Sequence, residues 1–184
     1  MQNHATAVTT MLSMLDQFQE QPEEVRSYFL HETKLFTFRK GELLLKAGDY
    51  CEYIYFVVEG VVRGYIVDGE REVTTWLTCE HELVTSISSL DVERPAVEHI
   101  EAVLDCTLLG MPVQKMDELY RLHPVFNITG RKLIQKYYRD AGNESVPSAA
   151  FKCRRKISSF FRSIPATVEP CSFKIYCFFF EYYY

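Results

Sequence analysis

The 184-residue chain has no run approaching the roughly 20 apolar residues of a membrane-spanning helix. Its opening, "MQNHATAVTTMLSML", carries neither a basic leader nor a long apolar core, which predicts a cytoplasmic chain without a secretory signal. Six cysteines stand at 51, 79, 106, 153, 171 and 177, and none forms a C-x-x-C pair. Without closely grouped thiols an iron–sulfur cluster lacks a ligand set, and the cysteines read as reduced thiols. No P-loop, nucleophile elbow or metal-binding motif is present, so the sequence argues against an enzyme. Asp117 and Glu118 are adjacent, and a helix points such neighbours apart instead of pairing them for acid–base work. His81 and His99 are the one histidine pair that strand pairing brings within reach of a shared metal. They lack a third ligand, so no metal site is expected. No internal repeat of solenoid length is present.

Positive charge is also scarce. The net charge of −5 supplies no general attraction to nucleic acid. The charge is unevenly spread, because residues 151–184 hold six basic side chains against Glu169 and Glu181. The cluster Lys152, Arg154, Arg155 and Lys156 has two readings: a solvated helix face, or contacts to DNA phosphates without sequence choice.

An apolar fraction of 47% suffices for one core, so a single domain with a small appendage is expected. Residues 6–31 read as helical, with Met11, Leu12, Met14, Leu15 and Phe18 as a stripe and a second helix after Pro22. From Lys34 to Met111 the pattern becomes that of short strands. Phe36 and Phe38 alternate with polar residues, and Leu43–Lys46, Tyr53–Val58, Val61–Val67 and Glu72–Leu77 follow, separated by Gly48-Asp49, Glu59-Gly60 and the hairpin signal Asp68-Gly69. Val97–Ala102 and Thr107–Met111 complete the set. Short strands joined by glycine turns indicate an antiparallel barrel or roll. Helical spacing then returns in a short helix from Val113 and a longer one starting at Pro124, with a break expected at residues 142–147.

The stretches "RKGELLLKAGD", "IYFVVEGVVRGYIVDGEREV" and "IEAVLDCTLLGM" resemble the cyclic-nucleotide-binding β-roll of Crp/Fnr-type bacterial transcription regulators. The likeness covers about Leu35 to Arg139. It implies an α+β fold: an antiparallel β-roll, jelly-roll-like, flanked by N-terminal helices and followed by a long dimerisation helix. The implied boundaries are residues 1–34 for the first helices, 35–111 for the roll, 112–164 for dimerisation and connecting helices, and 165–184 for the tail. The resemblance implies a ligand-sensing regulatory domain that takes a cyclic nucleotide or another small molecule, with no other cofactor.

In the family a Gly-Glu segment, helical N–H groups and an Arg hold the nucleotide. Here "HELVTSISSLDVERPAVEH" stands in that place and lacks the Gly-Glu pair. The ligand-binding candidates are therefore Val84, Thr85, Ser86, Ser88, Ser89, Arg94, Pro95 and Ala96, with a cavity expected beside Thr85 and Arg94. The alternative is that the hydroxyls only cap a short helix and the roll is a ligand-free dimeric scaffold. The implied dimerisation stripe is Ile128, Leu133, Ile134, Tyr137 and Tyr138.

The family's helix-turn-helix has no counterpart beyond Pro165. The 19 residues there fall short of the roughly 45 such a unit takes. Eleven of the last 34 residues are Phe or Tyr. Two explanations stand: a short natural segment that packs on the roll or a partner, or a reading-frame shift that replaced the DNA-binding half. Either makes DNA binding by this chain doubtful.

Overall fold

The computed structural model describes residues 3–90 and 94–142. Asn3 caps the first helix, α1 (His4–Asp16), by accepting the Ala5 N–H at 3.3 Å. The sequence pattern extends this helix too far. Asp16 takes the Gln21 N–H at 2.8 Å and the Arg26 guanidinium at 2.6 Å, which turns the chain before α2 (Glu23–Glu32). Phe18 thus falls outside both helices.

Eight strands follow: β1 (Lys34–Phe38), β2 (Leu43–Leu45), β3 (Tyr53–Glu59), β4 (Val61–Asp68), β5 (Arg71–Cys79), β6 (Leu83–Val84), β7 (His99–Ala102) and β8 (Cys106–Pro112). They form two four-stranded antiparallel sheets, ordered β1-β8-β3-β6 and β2-β7-β4-β5. A 3-10 turn, Ile87–Ser89, follows β6. Helices α3 (Val113–Leu122) and α4 (Phe126–Gly142) complete the described chain.

Strand alternation sorts the core into two compartments. On β3, Tyr53, Tyr55 and Val57 face into the roll, whereas Phe56 and Val58 face the helices. On β8, Cys106 and Leu108 face inward, and Leu109 and Met111 join Phe29, Leu119 and Phe126 under the helices. Gly60 links β3 to β4 at φ 111°, in the left-handed region, and a Cβ there would lie 2.5 Å from the Cys106 Sγ. The antiparallel roll expected from the strand spacing is thus present.

The long helix begins two residues after Pro124, which heads the turn preceding α4: the Phe126 N–H reaches the His123 carbonyl and the Asn127 N–H reaches that of Pro124. It runs to Gly142, the first residue of the break expected at 142–147, and the rest of that break lies outside the described residues. The connecting segment to residue 164, the cluster Lys152, Arg154, Arg155 and Lys156, and the tail 165–184 lie outside the described residues.

Candidate ligand site at the mouth of the roll

The connection between β2 and β3 forms one lip of the roll and is laced to the opposite loops. The Gly48 N–H donates to the Ala96 carbonyl and the Ala96 N–H to the Asp49 carbonyl, both at 2.8 Å. The Cys51 N–H donates to Ser89 Oγ at 2.9 Å, and the Ala47 N–H to His99 Nδ1 at 3.3 Å. Beneath this lip lies a cavity of about 750 Å3. Its wall is formed by Leu44, Leu45, Tyr53, Tyr55, Thr85 and Ile100. Lys46, Asp49 and Glu52 stand at its rim. Thr85 Oγ1 lies 3.4 Å from Cys51 Sγ.

Aromatic rings crowd the inner wall. Tyr53 and Tyr55 stack at 5.7 Å, and Phe36 meets them edge-on at 5.1 and 5.5 Å. Burial raises the Tyr55 phenol above its ordinary pKa, so it stays a neutral hydroxyl. A second depression, about 590 Å3, lies among Glu23, Glu24, Tyr28, His31 and His123. It is more open and sits on the helices outside the roll.

The structure separates the sequence candidates by what they already hold. Ser86 and Ser89 are fully buried. Ser86 donates to a Glu98 carboxylate oxygen at 3.2 Å and lies 3.1 Å from Ser88 Oγ. Ser88 also accepts the Val97 N–H at 3.4 Å. Ser89 holds Cys51, and the Ala96 N–H holds Asp49, as above. Val84 is buried in the roll core. Arg94 and Pro95 are exposed, and Arg94 is not among the residues that line the cavity. The cavity therefore borders Thr85 but not Arg94: the loop's internal hydrogen bonds hold its inner part shut, and the opening lies at the β2–β3 lip instead.

Glu98 was not visible as a site residue in the sequence. It precedes β7 in phase with the inward-facing Ile100 and Ala102, and this alternation was the available signal. Its carboxylate accepts the Trp76 indole N–H at 2.8 Å on one oxygen and the Ser86 hydroxyl on the other. Burial raises its pKa, an effect partly offset by hydrogen bonds from Trp76, Ser86 and Thr75. Gly64, opposite Trp76 on β4, allows this geometry, because a Cβ there would run into the indole.

His81 and His99 do not meet. His81 stacks on Phe56, a residue on the helix-covered side, while His99 stacks on Tyr65 at 4.9 Å on the outer side of the other sheet. Among the described residues no three His, Cys, Asp or Glu side chains converge as metal ligands. None of the described helices is long and apolar enough to cross a membrane.

The dimerisation candidates also divide. Ile134 and Tyr138 are 65% and 59% exposed, and Ile128 is exposed too. Leu133 is half-buried. Tyr137 turns to the roll: its hydroxyl accepts the Leu83 N–H at 3.0 Å and donates to Glu82 at 2.8 Å.

Comparison with known proteins agrees with this architecture. Residues 35–123, just under half of the chain, match the family model described as a cyclic nucleotide-binding domain. No curated protein sequence matches the chain. The crystal structure of the Thermus thermophilus catabolite activator protein is similar, with 25% identity and a TM-score of 0.57 over 71% of this chain. The match spans 61% of that protein's length. A cyclic nucleotide-binding domain from Methylobacillus flagellatus shares the fold at 15% identity and TM-score 0.64, covering 79% of this chain and 85% of that one. The sensor domain of the transcriptional regulator DNR from Pseudomonas aeruginosa does so at 17% and 0.58, covering 79% and 97%. Residues 35–123 therefore belong to the cyclic nucleotide-binding domain family, on the fold used by Crp/Fnr-type regulators.

Proposed function

We propose that this chain is the ligand-sensing part of a Crp/Fnr-type regulator, in which a small molecule in the roll cavity repositions α4. It acts by binding, not by catalysis. One observation carries this reading: the β6 segment touches both ends of the required linkage. Thr85 forms part of the cavity wall, and Glu82 and Leu83, just before it, hold the Tyr137 hydroxyl of α4. A ligand that displaces Thr85 pulls on the same short segment that anchors the helix. The ligand shifts the helix only by as much as it prefers one position of that segment over the other. The exposed stripe Ile128, Ile134 and Tyr138 fits a second copy of α4, so the working form is a homodimer.

The test pairs binding with helix response. Calorimetry of the full chain with cyclic AMP, cyclic GMP and a library of uncharged metabolites should find at least one ligand. Tyr137→Phe should keep the affinity within about threefold but abolish ligand-induced protection of α4 in hydrogen exchange. Equal protection in the mutant would refute the linkage. Sedimentation should give a dimer for wild type and a monomer for Ile134→Glu.

A second reading, a ligand-free dimeric scaffold, draws on the internal use of Ser86, Ser88 and Ser89. Failure of the whole library to bind would favour it.

A further inference from the structure

The walls of the roll cavity come from different sheets. Leu44, Leu45 and Ile100 belong to β2 and β7, whereas Tyr53 and Tyr55 belong to β3 of the other sheet. The cavity thus has an aliphatic side and an aromatic side, and Phe36 meets both tyrosine rings edge-on. A flat apolar ring suits such a space. The rim charges, Lys46, Asp49 and Glu52, are exposed and of both signs, so they select no ligand charge.

The fold leaves two polar atoms of this wall open. Tyr55 is only 9% exposed and faces into the roll, yet its hydroxyl has no hydrogen-bond partner among the described residues. A buried phenol ordinarily holds a partner, so this O–H is a donor in want of an acceptor. Thr85 supplies the complement. The Cys51 thiol gives its one proton to the Tyr53 carbonyl at 3.3 Å, so the Thr85 hydroxyl, 3.4 Å from that sulfur, donates to it. The Thr85 oxygen keeps its lone pairs for an incoming N–H. Thr85 also adjoins Val84, the residue that pairs with Tyr55 across β3 and β6. One donor and one acceptor therefore stand on neighbouring strands beside apolar wall.

Given that the cavity is the sensing site, we propose that it takes a planar ring ligand bearing a carboxamide or lactam edge, with the ligand carbonyl on the Tyr55 hydroxyl and the ligand N–H on Thr85 Oγ1. Recognition then runs through an uncharged amide edge and needs neither a phosphate nor Arg94.

The test uses three uncharged probes of one shape. Benzamide has a carbonyl and an N–H, acetophenone has the carbonyl alone, and α-methylstyrene has neither. Amide NMR titrations of the full chain place each probe by the shifts of Thr85 and residues 46–53. Tyr55→Phe should weaken benzamide and acetophenone by about three- to tenfold and leave α-methylstyrene within about twofold. Thr85→Val should weaken benzamide alone, with Thr85→Ala as the second variant if the valine is not accommodated. Tyr55→Phe should also keep the wild-type urea midpoint, because the hydroxyl it removes has no internal partner. A clear fall in that midpoint, or failure of this variant to fold, overturns the proposal. So does unchanged benzamide affinity in either substitution, or an equal loss of all three probes. A library ligand, cyclic AMP included, that binds equally well to wild type, Tyr55→Phe and Thr85→Val sinks the amide-edge assignment yet leaves the sensing reading intact. Failure of all three probes and the metabolite library removes both.

Discussion

The outer faces of the two sheets are built from opposite materials. On the β1-β8-β3-β6 sheet, Phe56, Val58, Leu109 and Met111 lie under α1, α2 and α4 with Phe29 and Phe126, whose rings meet at 5.6 Å. On the β2-β7-β4-β5 sheet, Arg63 forms ion pairs with Glu72 and Glu101 and lies 4.3 Å over the Tyr65 ring. A strand covered on both sides reads as an unbroken apolar run, as "YIYFVV" does. The strand "VVRGYIVD" is interrupted instead by Arg63 and Gly64 and ends in exposed residues. The covered sheet carries the helices, and the bare sheet contributes Trp76, whose indole N–H donates to Glu98.

The contrast can be broken by substitution. Leu109→Ala, 1% exposed in the covered compartment, should cost about 2–5 kcal/mol in urea unfolding. A cost below about 1 kcal/mol would mean that the helix layer is loosely packed. Arg63→Ala on the bare sheet should cost only about 1–2 kcal/mol, and its effect should shrink in high salt. An effect as large as that of Leu109→Ala would erase the distinction.

The smallest effect sharpens the comparison at the mouth. The raised pKa of Glu98 means that the folded state holds its proton more tightly than the unfolded chain. The associated stability is present in acid and declines as the pH rises from about 4.5 through the folded pKa. Urea midpoints of Glu98→Gln measured across this range should lack that decline. A wild-type slope unchanged by the substitution would assign the titration elsewhere.

Much of the roll was legible because its signals are local. The Asp68-Gly69 hairpin and the β3 and β4 patterns each follow from neighbouring residues, and they reappear within one or two positions. The helix after Asp16 was misjudged because its end depends on a carboxylate reaching Gln21 and Arg26, which apolar spacing does not encode. The candidate site was legible only as a region. Thr85 and the serines were identifiable as hydroxyls, but their partners lie 12 and 38 residues away in Glu98 and Cys51. The same distance hid Tyr137's attachment to Glu82, which moves it from the exposed stripe to the roll.

The sequence by itself determined where the chain turns and which strand faces are apolar, because left-handed glycines and a period of two act within a few residues. Only the tertiary structure decided that Glu98 occupies the loop's donors, that the opening lies under the 46–52 lip, and that α4 is tied to the cavity wall. Those outcomes depend on side chains far apart in sequence competing for the same hydrogen bonds, and that competition is settled when the two sheets close on each other.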